Sequence, residues 1–309
     1  MKIFLVVLLS LLSLFLVLFI AYLLIGYIAY HMSNVKTGKM RRNIEKLFDK
    51  EVSAGNIDVE YWQKEKFETV TIESHDKLKL VGAYKDFGND KLAIIVHGLG
   101  GKHDLMTAYA KLFQQLSFDI LAVDLRSHGQ SEGKEMTMGQ EESKDISLWV
   151  GKAIQLKSNY KIVLFGVSLG ATSVSLLAGE DLPSVKAIVE DCGFNNASTE
   201  TKFVYSKSKL KSKFIYNLFI NYLSKTHGID LKKVDVASKV KNAKIPVLVI
   251  HGDKDDFVPT QNGYEIFDAL PEDKRDIKII KGAGHVESIV VDKNGYKNKI
   301  KEFLNKYIQ

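Results

Sequence analysis

The longest apolar run in the chain lies near its start. Residues Ile3 to Ala29 read IFLVVLLSLLSLFLVLFIAYLLIGYIA and carry no charge. About 20 apolar residues are enough for a helix to span a bilayer core. The run is longer than the apolar region of a cleaved signal peptide, and no small-residue cleavage site follows it. It therefore predicts a transmembrane anchor over residues 1–30, with Tyr22, Tyr27 and Tyr30 at the membrane interface.

A different pattern fills the rest of the chain. Residues 31–65 are polar and charged, which predicts a juxtamembrane connector. From residue 66, two alternating stretches, FETVTIES and KLKLVGAYKD, predict an antiparallel pair of strands. Six short buried runs then alternate with amphipathic stretches: LAIIVHG, DILAVDL, KIVLFG, VKAIVED, IPVLVIHG and DIKIIKG. This alternation predicts an α/β domain over residues 66–309, with a doubly wound, mostly parallel sheet.

One segment interrupts the alternation of strands and helices. More than fifty residues separate VKAIVED from IPVLVIHG, which is more than a simple crossover needs. We expect a helical lid over about residues 194–240. Its aromatic side chains are candidates for lining a substrate pocket or touching lipid, namely Phe203, Phe214, Tyr216 and Phe219. The alternative is an ordinary amphipathic helix packed on the domain.

Composition narrows the class of protein. The chain has 309 residues, a length that suits one large domain better than two. Its 43 Lys and Arg against 37 Asp and Glu leave a net charge of only +6, which does not point to a nucleic-acid partner. Cys192 is the single cysteine, so a disulfide or a paired-cysteine metal site within the chain is excluded.

A candidate nucleophile lies at the end of the run KIVLF. Residues 166–170 read Gly-Val-Ser-Leu-Gly, the G-x-S-x-G pattern, between a predicted strand and a predicted helix. A sharp turn at this point would present the Ser168 hydroxyl at the carboxyl edge of the sheet. The alternative is that Ser168 only caps the helix.

A serine nucleophile needs a base, and His285 is the best placed histidine. It stands in GAGH after the last predicted strand, where the glycines let a loop carry the ring over the sheet edge. His97 and His251 end buried strands, where we expect structural roles. A solvated loop histidine without a role in catalysis is the alternative for His285.

The base in turn needs an orienting acid, and HGDKDDFVP offers three after the penultimate strand. We favour Asp255, with Asp256 as the main rival and Asp253 as a third candidate. The chain order of Ser168, then Asp255, then His285 matches the order in which such residues occur in this architecture.

The remaining requirement is a pair of backbone N–H groups for the developing oxyanion. The residue after the nucleophile, Leu169, is expected to supply one of them. The glycine-rich loop HGLGG supplies the other, with Leu99 as the favoured donor. The same loop could instead be a structural turn.

Taken together, these motifs resemble the α/β-hydrolase family. The stretches are VHGLGG, DLRSHGQSEG, GVSLGA, HGDKDDFVP and GAGH, and the resemblance covers the chain from about residue 67 to its end. EDCGF and HGDKDDFVP also resemble the membrane-anchored bacterial cell-surface hydrolases and the Bem46-like branch. The resemblance implies triad roles for Ser168, Asp255 and His285, oxyanion roles for Leu99 and Leu169, and no metal or cofactor.

The expected function is that of a membrane-anchored serine hydrolase acting on carboxylic esters or thioesters, of the carboxylesterase or lipase type. A serine peptidase or amidase on the same triad is the first alternative, and a membrane-tethered binding protein without activity is the second. The expected partners are a small acyl ester or lipid and a membrane, with no signal for an oligomeric state. Positive charge after the anchor favours a cytoplasmic domain, whereas the resemblance favours an extracytoplasmic one.

Overall fold

An eight-stranded sheet forms the centre of the molecule. The computed structural model describes residues 2–33, 57–207 and 212–308. The strands are β1 (Glu68–Glu73), β2 (Lys79–Lys85), β3 (Lys91–Val96), β4 (Asp119–Val123), β5 (Lys161–Val167), β6 (Val185–Asp191), β7 (Val247–Gly252) and β8 (Arg275–Ile280). Their order across the sheet is β1-β2-β4-β3-β5-β6-β7-β8. Only the β1–β2 and β2–β4 pairs are antiparallel, which confirms the expected doubly wound, mostly parallel architecture.

The described helices lie before the sheet, between its strands and after it. They are α1 (Lys2–Ser33), α2 (Tyr61–Lys64), α3 (Thr107–Gln115), α4 (Glu142–Leu156), α5 (Leu169–Ser175), α6 (Ala197–Ser206), α7 (Lys213–His227), α8 (Val236–Val240), α9 (Gln261–Ala269), α10 (Ser288–Val291) and α11 (Lys293–Tyr307). Helices α4, α5, α8 and α9 cover one face of the sheet, and α3 and α11 cover the other.

Alternate residues of the central strands enter two separate hydrophobic cores. Ile94 of β3 and Leu164 of β5 pack in the first core, while their neighbours Ile95 and Phe165 pack in the second. All four side chains are fully buried. Because both faces of the sheet are covered, these strands are continuous apolar runs instead of alternating ones.

The segment between β6 and β7 is largely helical, as expected for the region of about residues 194–240. The Asn196 side chain accepts hydrogen bonds from the N–H groups of Ser198 and Thr199 and so begins α6. Helix α7 ends at Gly228, whose φ of 67° is the left-handed conformation that terminates many helices. Both helices follow the carboxyl end of β6 in the chain.

The apolar N-terminal run forms one helix, α1, and its segment Lys2–Ile28 is long and apolar enough to cross a membrane. The helix could serve as an anchor or as a signal sequence. Its C-terminal part packs against α7, where the Tyr22 ring meets the Tyr222 ring edge-on with 6.2 Å between centroids. About two turns further on, the Tyr30 ring stacks on His227 with 4.1 Å between ring centroids.

Most of the predicted connector, residues 34–56, lies outside the described residues. The part next to the domain is described, and it belongs to the packed core. Tyr61 and Trp62 of α2 are buried in the second core, and the Lys111 ammonium bonds to the Asp58 carboxylate at 2.7 Å. The packed domain therefore includes residues shortly before position 66.

Candidate active site

Ser168 lies in a sharp turn between β5 and α5. Its backbone has φ 54° and ψ −117°, a conformation that a residue with a side chain rarely adopts. Gly166 and Gly170 make the turn possible. A Cβ on Gly166 would lie 2.3 Å from the Gly170 carbonyl carbon, and a Cβ on Gly170 would lie 2.4 Å from the Val96 oxygen. The Ser168 side chain makes no capping bond to α5, so the helix-cap alternative does not describe its hydroxyl.

His285 and Asp255 lie in line with the Ser168 hydroxyl. His285 Nε2 is 2.9 Å from Ser168 Oγ, and His285 Nδ1 is 2.7 Å from Asp255 Oδ2. The Asp255 carboxyl is fully buried, while the His285 side chain is 19% exposed. The turn after β5 and the loops after β7 and β8 therefore bring together three residues that are distant in the chain.

The pKa of Asp255 determines which atoms donate in this line. Burial alone would raise it, but the neighbouring His251 and His285 rings hold the pKa of Asp255 far below its usual value. An ionised carboxylate can only accept, so His285 Nδ1 donates to it. With a proton on Nδ1, His285 Nε2 can accept from the Ser168 O–H. This is the arrangement that a general base requires.

The two rival carboxylates make other contacts. Asp253 accepts a hydrogen bond from the Gly282 N–H at 2.6 Å. Asp256 is exposed, and its backbone carbonyl accepts from the Lys207 ammonium. Of the three aspartates in HGDKDDFVP, Asp255 is the one within hydrogen-bonding distance of His285.

The loops after β7 and β8 are joined to each other by their backbones. The Lys254 N–H donates to the Ala283 carbonyl at 2.9 Å, and the Asp253 N–H donates to the Ile280 carbonyl at 3.1 Å. A Cβ on Gly252 would lie 2.2 Å from the Ala283 oxygen, so this close approach requires glycine. The acid and the base are thus held by one braced pair of loops.

The HGLGG loop passes beside the nucleophile. A Cβ on Gly98 would lie 3.1 Å from the Ser168 Cβ, which places this backbone in contact with the serine. The Leu99 N–H has no hydrogen-bond acceptor within the described part of the chain. Leu169 is the first residue of α5, where a helix has no internal acceptor for the N–H. Both N–H groups lie in segments directly beside Ser168.

The four lid aromatics do not form one cluster. Phe214 is 71% exposed, whereas Phe219 packs against the first core. The Tyr216 hydroxyl lies 3.0 Å from Thr201 Oγ1 on α6, and the Lys207 ammonium lies 4.5 Å above the Phe203 ring. A substrate-lining role for these side chains stays a prediction.

A set of metal-ligand atoms also occurs at this site. Among the described residues, ligand atoms of Cys192, Asp255 and His285 lie within 4.8 Å of one another. Burial raises the pKa of the Cys192 thiol well above its usual value, and both ring nitrogens of His285 are already hydrogen-bonded. A protonated thiol is a poor ligand, so these residues do not fit a metal centre.

Sequence reasoning missed one contact at this site. His251, at the end of β7, lies with Nε2 3.4 Å from Asp255 Oδ2 and is fully buried. Its i, i+4 spacing to Asp255 across a strand-end turn is the only signal for this contact in the sequence. A buried carboxyl, Glu190, lies near it, and burial raises the pKa of Glu190 to about 7.

Comparison with known proteins finds one matching family model and related chains of low identity. The family model described as serine aminopeptidase, S33, matches residues 89–234. The uncharacterized protein YqkD of Bacillus subtilis (strain 168) is 26% identical over 218 residues, which cover 69% of this chain and 70% of YqkD.

Solved structures show the same fold. The Pyrococcus furiosus esterase Pf2001 superposes with a TM-score of 0.65 at 22% identity, covering 79% of this chain and 93% of that one. An acylaminoacyl peptidase in complex with Z-Gly-Gly-Phe-chloromethyl ketone superposes with a TM-score of 0.58 at 22% identity, covering 78% of this chain and 41% of that one. With its sheet order and the match over residues 89–234, the chain has the α/β-hydrolase fold.

Proposed function

We propose that this α/β hydrolase is a serine hydrolase that cleaves carboxylic esters, including thioesters, through an acyl-enzyme. The observation that carries the proposal is the unbroken line from Ser168 Oγ through His285 to the Asp255 carboxylate, with distances of 2.9 and 2.7 Å. A neutral histidine between a hydroxyl and an ionised carboxylate is the arrangement that makes a serine nucleophilic.

The first half-reaction forms the acyl-enzyme. Ser168 Oγ attacks the ester carbonyl carbon while its proton moves to His285 Nε2. Asp255 stabilises the resulting imidazolium, and the N–H groups of Leu99 and Leu169 donate to the oxyanion. The bond to the leaving oxygen or sulfur then breaks, and the leaving group takes the proton from His285 Nε2.

The second half-reaction returns the free enzyme. A water molecule attacks the acyl carbon and gives a proton to His285 Nε2. The bond between Ser168 Oγ and the acyl carbon breaks, the carboxylic acid leaves, and the proton passes back to Ser168. Overall, an ester and water give a carboxylic acid and an alcohol, and a thioester gives a thiol in place of the alcohol. His285 carries the proton in each step.

The same groups would serve a peptidase or amidase. This second candidate is favoured by the description of the matching family model and by the acylaminoacyl peptidase among the structural neighbours. Amide cleavage needs the same nucleophile and base, and it differs in the protonation of a poorer leaving group. We therefore rank amide cleavage second, and a panel of ester and amide substrates tests it.

The decisive experiment uses the full-length protein in detergent and a fluorophosphonate probe. Wild type should label, and Ser168→Ala should not. Ser173→Ala is a matched control, because Ser173 lies on the same helix and its hydroxyl bonds to the Leu169 carbonyl. Equal labelling of wild type and Ser168→Ala would show that the nucleophile is another residue. No labelling of wild type would favour the non-catalytic binding protein.

A substrate panel then separates the two reactions. We expect turnover of p-nitrophenyl esters to exceed that of matched p-nitroanilides. Extending the acyl chain from acetate to longer esters tests the lid aromatics, since a sharp preference for acetate would contradict a lipid-binding pocket.

We also propose that α1 anchors this hydrolase in a membrane as a single-pass helix, within the cell-surface or Bem46-like branch. Its apolar length supports an anchor, and its packing on α7 supports retention over cleavage. Amino-terminal sequencing of the mature protein tests retention, and protease shaving of intact cells tests the side. We expect an extracytoplasmic domain, so protection from the protease would contradict that part.

A further inference from the structure

His251 occupies a fully buried position directly behind the acid of the site. It is the fifth residue of β7, and its Nε2 lies 2.9 Å from the Val258 carbonyl and 3.4 Å from Asp255 Oδ2. A carbonyl oxygen can only accept, so His251 Nε2 carries a proton. That N–H is hydrogen-bonded to one end of the turn formed by residues 255–258, and the nitrogen lies at ion-pair distance from the carboxylate at the other end.

The Asp255 carboxylate is held from several directions. Its Oδ1 accepts from the N–H groups of Phe257 at 3.0 Å and Val258 at 2.8 Å. Its Oδ2 accepts from His285 Nδ1 at 2.7 Å. His251 Nε2 lies 3.4 Å from Oδ2 on the side of the protein interior, which is an ion-pair distance and not a hydrogen bond. Because the Val258 carbonyl accepts the His251 N–H, the ring braces the same turn whose N–H groups hold Oδ1.

The opposite edge of the His251 ring lies against α9. A Cβ on Gly263 would lie 2.9 Å from His251 Nδ1, so glycine leaves just enough room for the ring. Glu190 of β6 is buried nearby, and its Oε2 accepts from the Gly193 N–H at 2.9 Å. Neither Glu190 Oε1 nor His251 Nδ1 has a hydrogen-bond partner within the described ranges.

The charges around the ring favour its protonated form. Burial lowers the pKa of His251, but the neighbouring Asp255 and Glu190 carboxyl groups outweigh it, and the net pKa of His251 is raised. The ionisable groups that interact with His251 are Asp255 on its own loop, Glu190 and Asp191 from β6, and Glu200 from α6. All four are acidic and favour a strong N–H donor on His251.

We propose that His251 is a positioning residue of this site, whose Nε2–H braces the turn at residues 255–258 through the Val258 carbonyl and so holds the Asp255 carboxylate in the orientation that His285 requires. The proposal rests on the serine-hydrolase function proposed above. His251 touches no reacting atom and acts only through Asp255. Without its N–H, Asp255 and the turn at residues 255–258 would sample other orientations, and His285 would spend less time aligned with Ser168.

Two polar replacements separate positioning from packing. In His251→Gln the amide nitrogen can take the place of Nε2 and donate to the Val258 carbonyl, whereas the shorter amide of His251→Asn cannot reach it. We expect kcat of His251→Asn to fall by about ten- to a hundredfold with KM within about twofold of wild type. We expect His251→Gln to stay within about threefold of wild type. Equal kcat for the two variants would overturn the proposal.

A control and a double-mutant cycle complete the test. Val249→Ala removes buried volume from the same strand and the same face without touching Asp255, so it should lower the melting temperature and leave kcat unchanged. In an Asp255→Asn background, the difference between His251→Asn and His251→Gln should disappear, because the carboxylate to be positioned is gone. A difference that persists would contradict action through Asp255.

The outcomes also distinguish this proposal from the one on which it rests. If wild type does not label with the fluorophosphonate, the hydrolase function fails first. If wild type labels and turns over ester while the two His251 variants have equal kcat, the positioning role alone fails.

Discussion

At the scale of single residues, Ser168 combines a strained backbone with a hydroxyl that is only slightly exposed. Its residue exposure is 6%, and its φ is positive in a segment where the neighbouring glycines are fixed by backbone contacts. Such strain persists only where the surroundings determine the conformation. The cost is balanced by two packed cores and by the backbone bond from the Ser168 N–H to the Asp191 carbonyl at 2.8 Å.

The choice of acid gives the first prediction. Asp255→Asn should lower kcat by about 10³–10⁴-fold with a small change in KM, because the amide no longer holds His285 in the required tautomer. Asp256→Asn is the matched control, since this neighbouring side chain is exposed, and it should stay near wild type. Steady-state kinetics on one ester measures both. The reverse ranking would assign the acid to Asp256.

The glycine before the nucleophile gives the second prediction. In Gly166→Ala the new Cβ would lie 2.3 Å from the Gly170 carbonyl, so we expect unfolding free energy to fall by about 1–3 kcal/mol and probe labelling to slow. Gly151→Ala is the control, because a Cβ on that helical glycine meets nothing within 4 Å. It should raise stability by about 0.5–1 kcal/mol. Chemical denaturation of both variants checks the contrast, and an unperturbed Gly166→Ala would argue against this turn.

At the scale of elements, the lid helix α7 is packed on two sides. Phe219 and Leu223 face the first core, while Tyr222 faces α1. At the end of the helix, His227 Nδ1 lies 2.5 Å from Glu135 Oε1, and the Tyr30 hydroxyl donates to the same oxygen at 3.4 Å. The N-terminal helix is thus joined to the lid by ring contacts and by a polar cluster.

This contact gives the third prediction. A Cβ on Gly26 would lie 2.3 Å from the Tyr222 ring, so Gly26→Leu should separate α1 from α7. We expect a loss of about 1–3 kcal/mol in stability of the full chain in detergent. Ala21→Leu adds the same side chain at an exposed position of α1 and should have little effect. Thermal melting compares the two, and equal melting temperatures would contradict the packing of α1 on the lid.

Helix α6 gives the fourth prediction, which concerns pH. Burial and the nearby Asp255 raise the pKa of Glu200 to about 7, and its Oε1 has no hydrogen-bond partner among the described residues. Between pH 5 and 7 the unfolded chain releases this proton while the folded chain keeps it. Folded-state stability therefore falls as pH rises through this window.

Glu200→Gln removes that titration. We expect the variant to gain roughly 1–3 kcal/mol relative to wild type at pH 8 and much less at pH 5. Glu180→Gln, at an exposed position, should show no such dependence. Denaturation curves at the two pH values provide the test. A gain that is the same at both would show that Glu200 is ionised in the folded protein throughout.

At the scale of the whole molecule, nearly all of the core belongs to one domain. Every buried member of both cores lies after residue 57, and Tyr30 is the part of α1 that packs against them. A sheet with both faces covered by its own helices has little need of the N-terminal helix for stability.

The fifth prediction follows from this distribution. A fragment of residues 57–309 should fold and hydrolyse p-nitrophenyl acetate with kcat within about threefold of the full chain, since the three aligned residues and both cores are retained. A small decrease in melting temperature is expected from exposure of Tyr222. Calorimetry and steady-state kinetics test this, and an unfolded fragment would show that residues before 57 are required.

The strands and the loops carrying Ser168 and His285 could be predicted from sequence because their signals are local. Apolar runs mark the strands, and glycines mark the turns that follow them. The choice of Asp255 over Asp256 could not be settled in this way, because it depends on which carboxylate faces His285. The contact between Tyr22 and Tyr222 could not be predicted from the sequence either, since it joins side chains two hundred residues apart.

The braced loops after β7 and β8 have a consequence for how the protein fails on heating. Asp255 and His285 lie in one segment, residues 247–291, whose two loops are joined by backbone hydrogen bonds. The Ser168 hydroxyl is joined to this segment by one hydrogen bond of 2.9 Å to His285. Thermal inactivation should therefore begin by separating nucleophile from base, while acid and base stay together. Amide hydrogen exchange would detect this as protection of Lys254 that outlasts the loss of probe labelling.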